Sequence, residues 1–176
     1  MTSSNPLALV TIFTDGSTYP TNPGYAGWSA IIRGKHWIRI ITGGQEDRSN
    51  NFAETKAVAE ALRCLKQPCQ VRLFTDSQYV MFGFRKINNK RSFKTNLDVW
   101  QEIFGLVIPH KITCHKVAAH TGVPMNCWAD ELAAEAAKMR SSFDGYIPVD
   151  VRTDGQITTN KSGRRKILSL ACSEKV

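Results

Sequence analysis

Leu7 to Thr14, Leu-Ala-Leu-Val-Thr-Ile-Phe-Thr, is apolar on both of its alternating faces and ends at Asp15. A strand of this kind is covered on both sides, which puts it at the centre of a layered sheet. The carboxylate at its end constrains the chain further. An isolated carboxylate is tolerated on a surface and costly in a core, so one placed at the end of a buried element asks for a compensating cation. Three more stand in comparable settings: Glu54 after the pair Asn50 and Asn51, Asp76 at the end of a second apolar run from Val71 to Thr75, and Asp130 in an Ala-rich segment ten residues past His120. All-oxygen ligands of this kind suit Mg²⁺, with Mn²⁺ as the substitute.

The rest of the chain reads as alternating elements. Tyr25 to Arg33 and His36 to Thr42 are β-rich runs separated by Gly34 and Lys35, a hairpin signal that makes three antiparallel strands in sequence. Ser49 and Asn50 offer N-cap chemistry, and Ala57, Val58, Ala61, Leu62 and Leu65 follow at helical spacing until Pro68. Glu54 extends that buried stripe at the helix N-terminus, where a solvated position would be expected for an acid. After the strand at Val71–Thr75 come a short helix over 77–84, a helix over 97–106, a strand over 111–117 and a long helix over 126–140. Strands followed by helices in this order predict an α/β layer protein with a mixed sheet flanked by helices. Ligand chemistry in such sheets gathers at the ends of central strands.

At 176 residues with 42% hydrophobic content, the chain is long enough for one domain with a sizeable core and short for two. The domain is expected to span residues 1–151. From Arg152 to Val176 the composition turns to Thr, Asn, Ser, Gly and basic residues, six basic against two acidic. A basic extension follows, with a turn at 160–163 that could form a hairpin and dock the apolar run Ile167 to Cys172. The 23 Lys and Arg against 15 Asp and Glu give a net charge of +8, which argues for a polyanionic partner. Five cysteines, odd in number and without a Cys-x-x-Cys pair, sit in or beside apolar runs and imply a reducing compartment. Nowhere are there ~18 consecutive apolar residues, and the first residues lack a signal-peptide pattern, so a cytoplasmic protein that does not cross a membrane is expected.

Four motifs appear in order: Thr14-Asp15-Gly16-Ser17 with Asn22-Pro23-Gly24; Asn50-Asn51-Phe52-Ala53-Glu54; Thr75-Asp76-Ser77-Gln78-Tyr79-Val80; and His120-Thr121-Gly122 through Asn126 to Asp130-Glu131-Leu132-Ala133. With these motifs, over roughly residues 7 to 151, the chain resembles the type 1 ribonuclease H family. The resemblance implies a ribonuclease H-like α/β fold with a mixed five-stranded sheet, three antiparallel strands followed by parallel ones. It implies a monomeric endoribonuclease that cuts RNA in RNA/DNA hybrids and leaves 5′-phosphate and 3′-hydroxyl ends.

In that family Asp15, Glu54, Asp76 and Asp130 would be the metal-binding carboxylates, with Asp15 shared between two Mg²⁺ ions about 4 Å apart. His120, in a loop punctuated by Gly122 and Pro124, would be a histidine that moves protons near the attacking or leaving group. Asn22, Asn50, Asn51 and Gln78 match positions that read the minor groove, where only the RNA strand shows 2′-hydroxyls. Ser49 and Asn126 join them as expected hybrid contacts, with Ser49 beside Arg48 where the family places a phosphate pocket. The run Arg85, Lys86, Lys90, Arg91 and Lys94 stands where the family carries a duplex-gripping segment, here shortened so that Val99 follows Tyr79 by only twenty positions.

Other readings are weaker. A binding module that kept the fold without activity gains nothing from clustered negative charge facing phosphates. A junction resolvase or integrase-like nuclease would share scattered carboxylates but lacks the Asn-Asn and Thr-Asp-Ser-Gln-Tyr settings. A zinc site from Cys114, His115, His120 and Cys127 fails on geometry, because adjacent strand residues point to opposite faces.

Overall fold

A computed structural model describes residues 6–89, 91–118 and 124–148. Lys90, His120 and the 152–176 extension with its expected hairpin lie outside the described residues. The elements are β1 (Ala8–Tyr19), β2 (Gly24–Arg33), β3 (Trp37–Arg48), α1 (Asn50–Arg63), β4 (Cys69–Thr75), α2 (Gln78–Asn88), α3 (Leu97–Val107), β5 (Lys111–Lys116), α4 (Pro124–Met139) and β6 (Phe143–Pro148). The sheet order is β5-β4-β1-β2-β3-β6. β1, β2, β3 and β6 pair antiparallel in succession, and β4 and β5 continue from β1 in parallel. β1 is therefore internal, as its two apolar faces require.

Two differences from the sequence reading matter. β6 makes the sheet six-stranded where five were expected, pairing from Thr42↔Phe143 to Trp37↔Pro148. Its sequence conceals it, because Gly145 interrupts the side-chain alternation and Pro148 is tolerated in a strand only at an edge. Across the pair, Asp144 accepts two hydrogen bonds from Arg39, at 2.7 and 2.8 Å. Secondly, β1 does not end at Asp15 but runs on to Tyr19, still paired with β2. On its other side the pairing with β4 stops at Phe13↔Phe74. Asp15 thus sits where one neighbour continues and the other has turned away, which opens a gap beside a central strand.

Side-chain hydroxyls set the helix starts. Ser49 accepts a hydrogen bond from the Phe52 N–H at 3.2 Å and caps α1, and Ser77 accepts from the Val80 N–H at 3.3 Å and caps α2. One core lies between the sheet and α1 and α3, built on Val10, Ile12, Ile32, Val58, Leu62, Leu73 and Trp100. A smaller one lies under α4, where Trp128, Ala129 and Leu132 meet Phe13, Ile31, Ile38 and Ile40. α4 approaches β2 closely because residue 27 is glycine; a Cβ there would collide with the backbone of Ala133 and Ala137.

Trp100, 1% exposed, is stacked on Phe93 with ring centroids 4.6 Å apart and meets Phe84 edge-on at 6.3 Å. Replacing it with alanine removes the largest fully buried side chain of the main core and leaves a cavity. Trp100→Ala is expected to cost about 3–5 kcal/mol of unfolding free energy. Urea titration of the variant decides this, and a loss below about 1 kcal/mol would show that α3 is not anchored there.

Candidate active site

Three carboxylates converge at the gap beside β1. Asp15 projects from β1, Glu54 from the first turns of α1, and Asp76 from the junction of β4 and α2, immediately before the capping Ser77. One carboxylate oxygen from each lies within 4.8 Å of the others. Asp15 is 5% and Glu54 7% exposed, while Asp76 is half-buried. Asp130, half-buried on α4, stands close enough to raise the proton affinity of both Asp15 and Glu54. Three of the four carboxylates expected at the site therefore form one cluster, and the fourth, Asp130, is near enough to act on it electrostatically.

Local backbone features make this possible. Gly16 follows Asp15, and a Cβ at residue 16 would collide with the backbone of Ala53 and Glu54. Its absence lets the start of α1 lie directly against β1, which brings Glu54 to Asp15. The Gly16 N–H donates to Asp15 Oδ1 at 2.7 Å. Ser29, directly across from Asp15 on β2, donates its hydroxyl to the Ala129 carbonyl at 2.6 Å in a fully buried contact. That bond pins α4 at the residue before Asp130. Sequence reasoning missed Ser29, because an isolated serine in an apolar strand carries no signal until its partner, 100 residues away, is known.

Burial and like charge act together on the pocket. Burial first, then the neighbouring Asp76 and Asp130, push Asp15 from 3.8 up to about 8, although the Gly16 N–H favours its charged form. Glu54 is driven well above the ordinary carboxylate range by burial and by Asp15, Asp76 and Asp130. Glu54 Oε2 is also buried without a hydrogen-bond partner among the described residues. An orphaned buried oxygen in a cluster of carboxylates that repel one another is a fit for a divalent cation, which would satisfy the oxygen and remove the repulsion.

Around the cluster, the Asn22 side-chain oxygen accepts from the Asn50 N–H at 3.0 Å and ties the β1–β2 loop to the start of α1. Ser49 is occupied as the α1 cap. Asn22, Asn51 and Gln78 are exposed, Asn50 is half-buried, and Asn126 is buried with its Oδ1 lacking a partner among the described residues. Arg48 is aimed by a β-bulge opposite Gly24 and Ala26 that puts Asp47 at φ 54°. Its guanidinium lies 4.7 Å from the Phe52 ring centroid, and the Gln45 side-chain oxygen, in the amide orientation that satisfies both groups, accepts from Nε and Nη2. Arg85, Lys86, Arg91 and Lys94 line a cleft of about 410 Å³ with Phe93 and Trp100. Cys114 and His115 do lie on opposite faces of β5, with Cys114 Sγ 3.3 Å from Met81 Sδ and its thiol pushed by burial to about 12.

A profile of the RNase H family matches residues 8–138. The chain belongs to the ribonuclease H family. It is 38% identical over 145 residues to the ribonuclease H of Zymomonas mobilis, covering 77% of this chain and 92% of that one. It is 43% identical over 135 residues to the ribonuclease H of Cupriavidus pinatubonensis, covering 70% and 92%. The fold is similar to the crystal structure of LC9-RNase H1, a type 1 RNase H, with a TM-score of 0.71 at 22% identity over 84% of this chain and 80% of that one. It is also similar to the N-terminal RNase H domain of a Mycobacterium tuberculosis protein, with a TM-score of 0.59 at 20% identity over 76% and 98%. As a ribonuclease H family member the chain is a hydrolase of the nuclease class. The family is metal-dependent, and the Asp15–Glu54–Asp76 cluster is a place where a cation fits.

Two outcomes follow from this geometry. Asp15 has a folded pKa raised above its unfolded value, so its contribution to stability is fully present below about pH 4 and is lost as pH rises through about 8. With a chelator present, the urea midpoint should therefore fall between pH 5 and pH 8.5, and a divalent cation should remove most of that fall while releasing protons. A midpoint that stays flat or rises in chelator would contradict a repulsive cage. Gly16→Ala should force α1 away from β1 and weaken divalent-cation binding by at least about tenfold, as read by calorimetric titration. Unchanged affinity would mean that the contact at residue 16 does not set the Asp15–Glu54 distance.

Proposed function

We propose that the chain is an endoribonuclease that hydrolyses the RNA strand of RNA/DNA hybrids with two Mg²⁺ ions, leaving 5′-phosphate and 3′-hydroxyl ends. The observation that carries this reading is the buried cluster of Asp15, Glu54 and Asp76 with the orphaned Glu54 Oε2, set in a ribonuclease H family fold. Asp15, Glu54, Asp76 and Asp130 would hold the cations, with Mn²⁺ able to substitute. Bound there, the metals supply an activated water and charge compensation at the scissile phosphate and the leaving 3′ oxygen.

The remaining roles belong to the chain itself. Asn22, Asn50, Asn51 and Gln78 accept and donate hydrogen bonds in the minor groove, where the RNA 2′-hydroxyls distinguish the scissile strand. Arg85, Lys86, Lys90, Arg91 and Lys94 contact phosphates further along the duplex, with Ser49 and Arg48 near the start of α1. Asn126 supports the same region from within α4. His120 moves a proton at the attacking or leaving oxygen. The enzyme works as a monomer, and the free Cys64, Cys69, Cys114 and Cys127 suit the reducing cytoplasm.

Asp15→Asn and Asp76→Asn should each lower turnover on a labelled hybrid by at least about a thousandfold and leave hybrid binding near wild type, because the groove contacts lie elsewhere. Near wild-type turnover in either variant would sink the assignment. Binding by the wild type should weaken steeply with salt as phosphate contacts release counterions.

A further inference from the structure

Among the described residues, no helix covers one face of the parallel half of the sheet. Parallel strands are ordinarily covered on both sides, and here α1 and α3 cover the side that carries Val10, Ile12, Val71 and Leu73. On the opposite side α4 packs over β1, β2 and β3. The alternate residues below and beside it, Leu9, Gln70, Arg72, Lys111, Thr113 and His115, are exposed. β4 and β5 contain no acidic residue, so the charge these strands put on this face, from Arg72 and Lys111, is of one sign.

A row of rings crosses the same face. Phe13 of β1 stacks on Phe74 of β4 with centroids 4.9 Å apart and planes 15° apart, and Phe74 stacks on His115 of β5 at 5.0 Å and 21°. The row passes from buried Phe13 through half-buried Phe74 to exposed His115. His115 is held in place by a 3.2 Å contact between its Nε2 and Thr113 Oγ1. Phe13 and Phe74 each precede a clustered carboxylate, Asp15 and Asp76, by two residues. The ladder therefore leads away from the cluster across a basic sheet face that no described element covers. Exposed aromatic rings among positive charges on a sheet are the combination that binds unpaired nucleotides, because every base has a π-face and every linkage a phosphate.

We propose that this face binds unpaired nucleotides continuing from the hybrid, with a base stacked against the His115–Phe74 ladder and Arg72 and Lys111 taking the phosphates. The proposal rests on the hybrid-cleaving reading above for the direction from which the strand arrives. It adds a preference that the cluster alone does not create: substrates with a single-stranded extension are bound more tightly than blunt ones.

The full chain would be assayed on a blunt hybrid and on the same hybrid extended at either end by unpaired RNA or unpaired DNA, and by anisotropy on the single-stranded oligonucleotides alone. One of the extended substrates should show a KM about tenfold below the blunt hybrid at equal kcat, and the arms identify which strand and which end. His115→Ala and Arg72→Glu should each remove most of that advantage and weaken oligonucleotide binding while leaving blunt-hybrid cleavage unchanged, which also shows that they fold. His115→Phe should keep the advantage, since stacking and not the imidazole nitrogen carries it. No advantage for any extension in the wild type, or an advantage that survives both His115→Ala and Arg72→Glu, would overturn the proposal. A chain that cuts no hybrid yet binds oligonucleotide in a His115-dependent way would instead overturn the hybrid-cleaving reading and keep this face.

Discussion

Repulsion between buried carboxylates is the constraint on which the structure turns. Asp15 and Glu54 are almost without solvent, and Asp76 and Asp130 stand close enough to raise the proton affinity of both. Left to themselves, these groups would separate or take up protons. The surrounding fold holds them together instead, and it does so with rigid elements: a strand continued past its neighbour, a helix start pressed against that strand, and a second helix fixed by a buried hydroxyl. The strain against which the protein works is also what gives the cluster its appetite for a cation.

The two cores serve this arrangement from opposite sides. Trp100, Val58 and Leu62 hold α1 and α3 to one face of the sheet, and Trp128 and Leu132 hold α4 to the other. Glu54 and Asp130 are carried on those two helices, so the cluster closes only when both layers are docked. Small residues set the final distances. Gly16 and Gly27 are the points where a helix backbone meets a strand, and neither position leaves room for a methyl group.

Much of this was legible in the chain because the chemistry interrupts hydrophobic patterns that are otherwise clean. Asp15 and Asp76 close apolar runs, and Glu54 falls on the buried stripe of α1, so each acid stood out against its own element. The caps were equally readable, since Ser49 and Ser77 precede their helices in the ordinary way. What escaped was whatever depends on a distant partner. The continuation of β1 beyond Asp15 is supported by pairing with β2, not by its own Gly-Ser-Thr-Tyr composition. β6 is a strand because β3 offers it an edge and Arg39 offers Asp144 a guanidinium. Ser29 matters only through Ala129.

The four carboxylates come from β1, α1, the β4–α2 junction and α4, elements spread from residue 15 to residue 130. No hairpin or helix pair taken alone contains more than a part of the set. Chemical competence is therefore a property of the completed domain and arises in the same cooperative event as folding. A chain still lacking α4, or one that has frayed it loose, carries acids that repel without the element that completes the cage. Activity and native topology are tied to one another by chain connectivity, and a partly folded molecule has little capacity to cut.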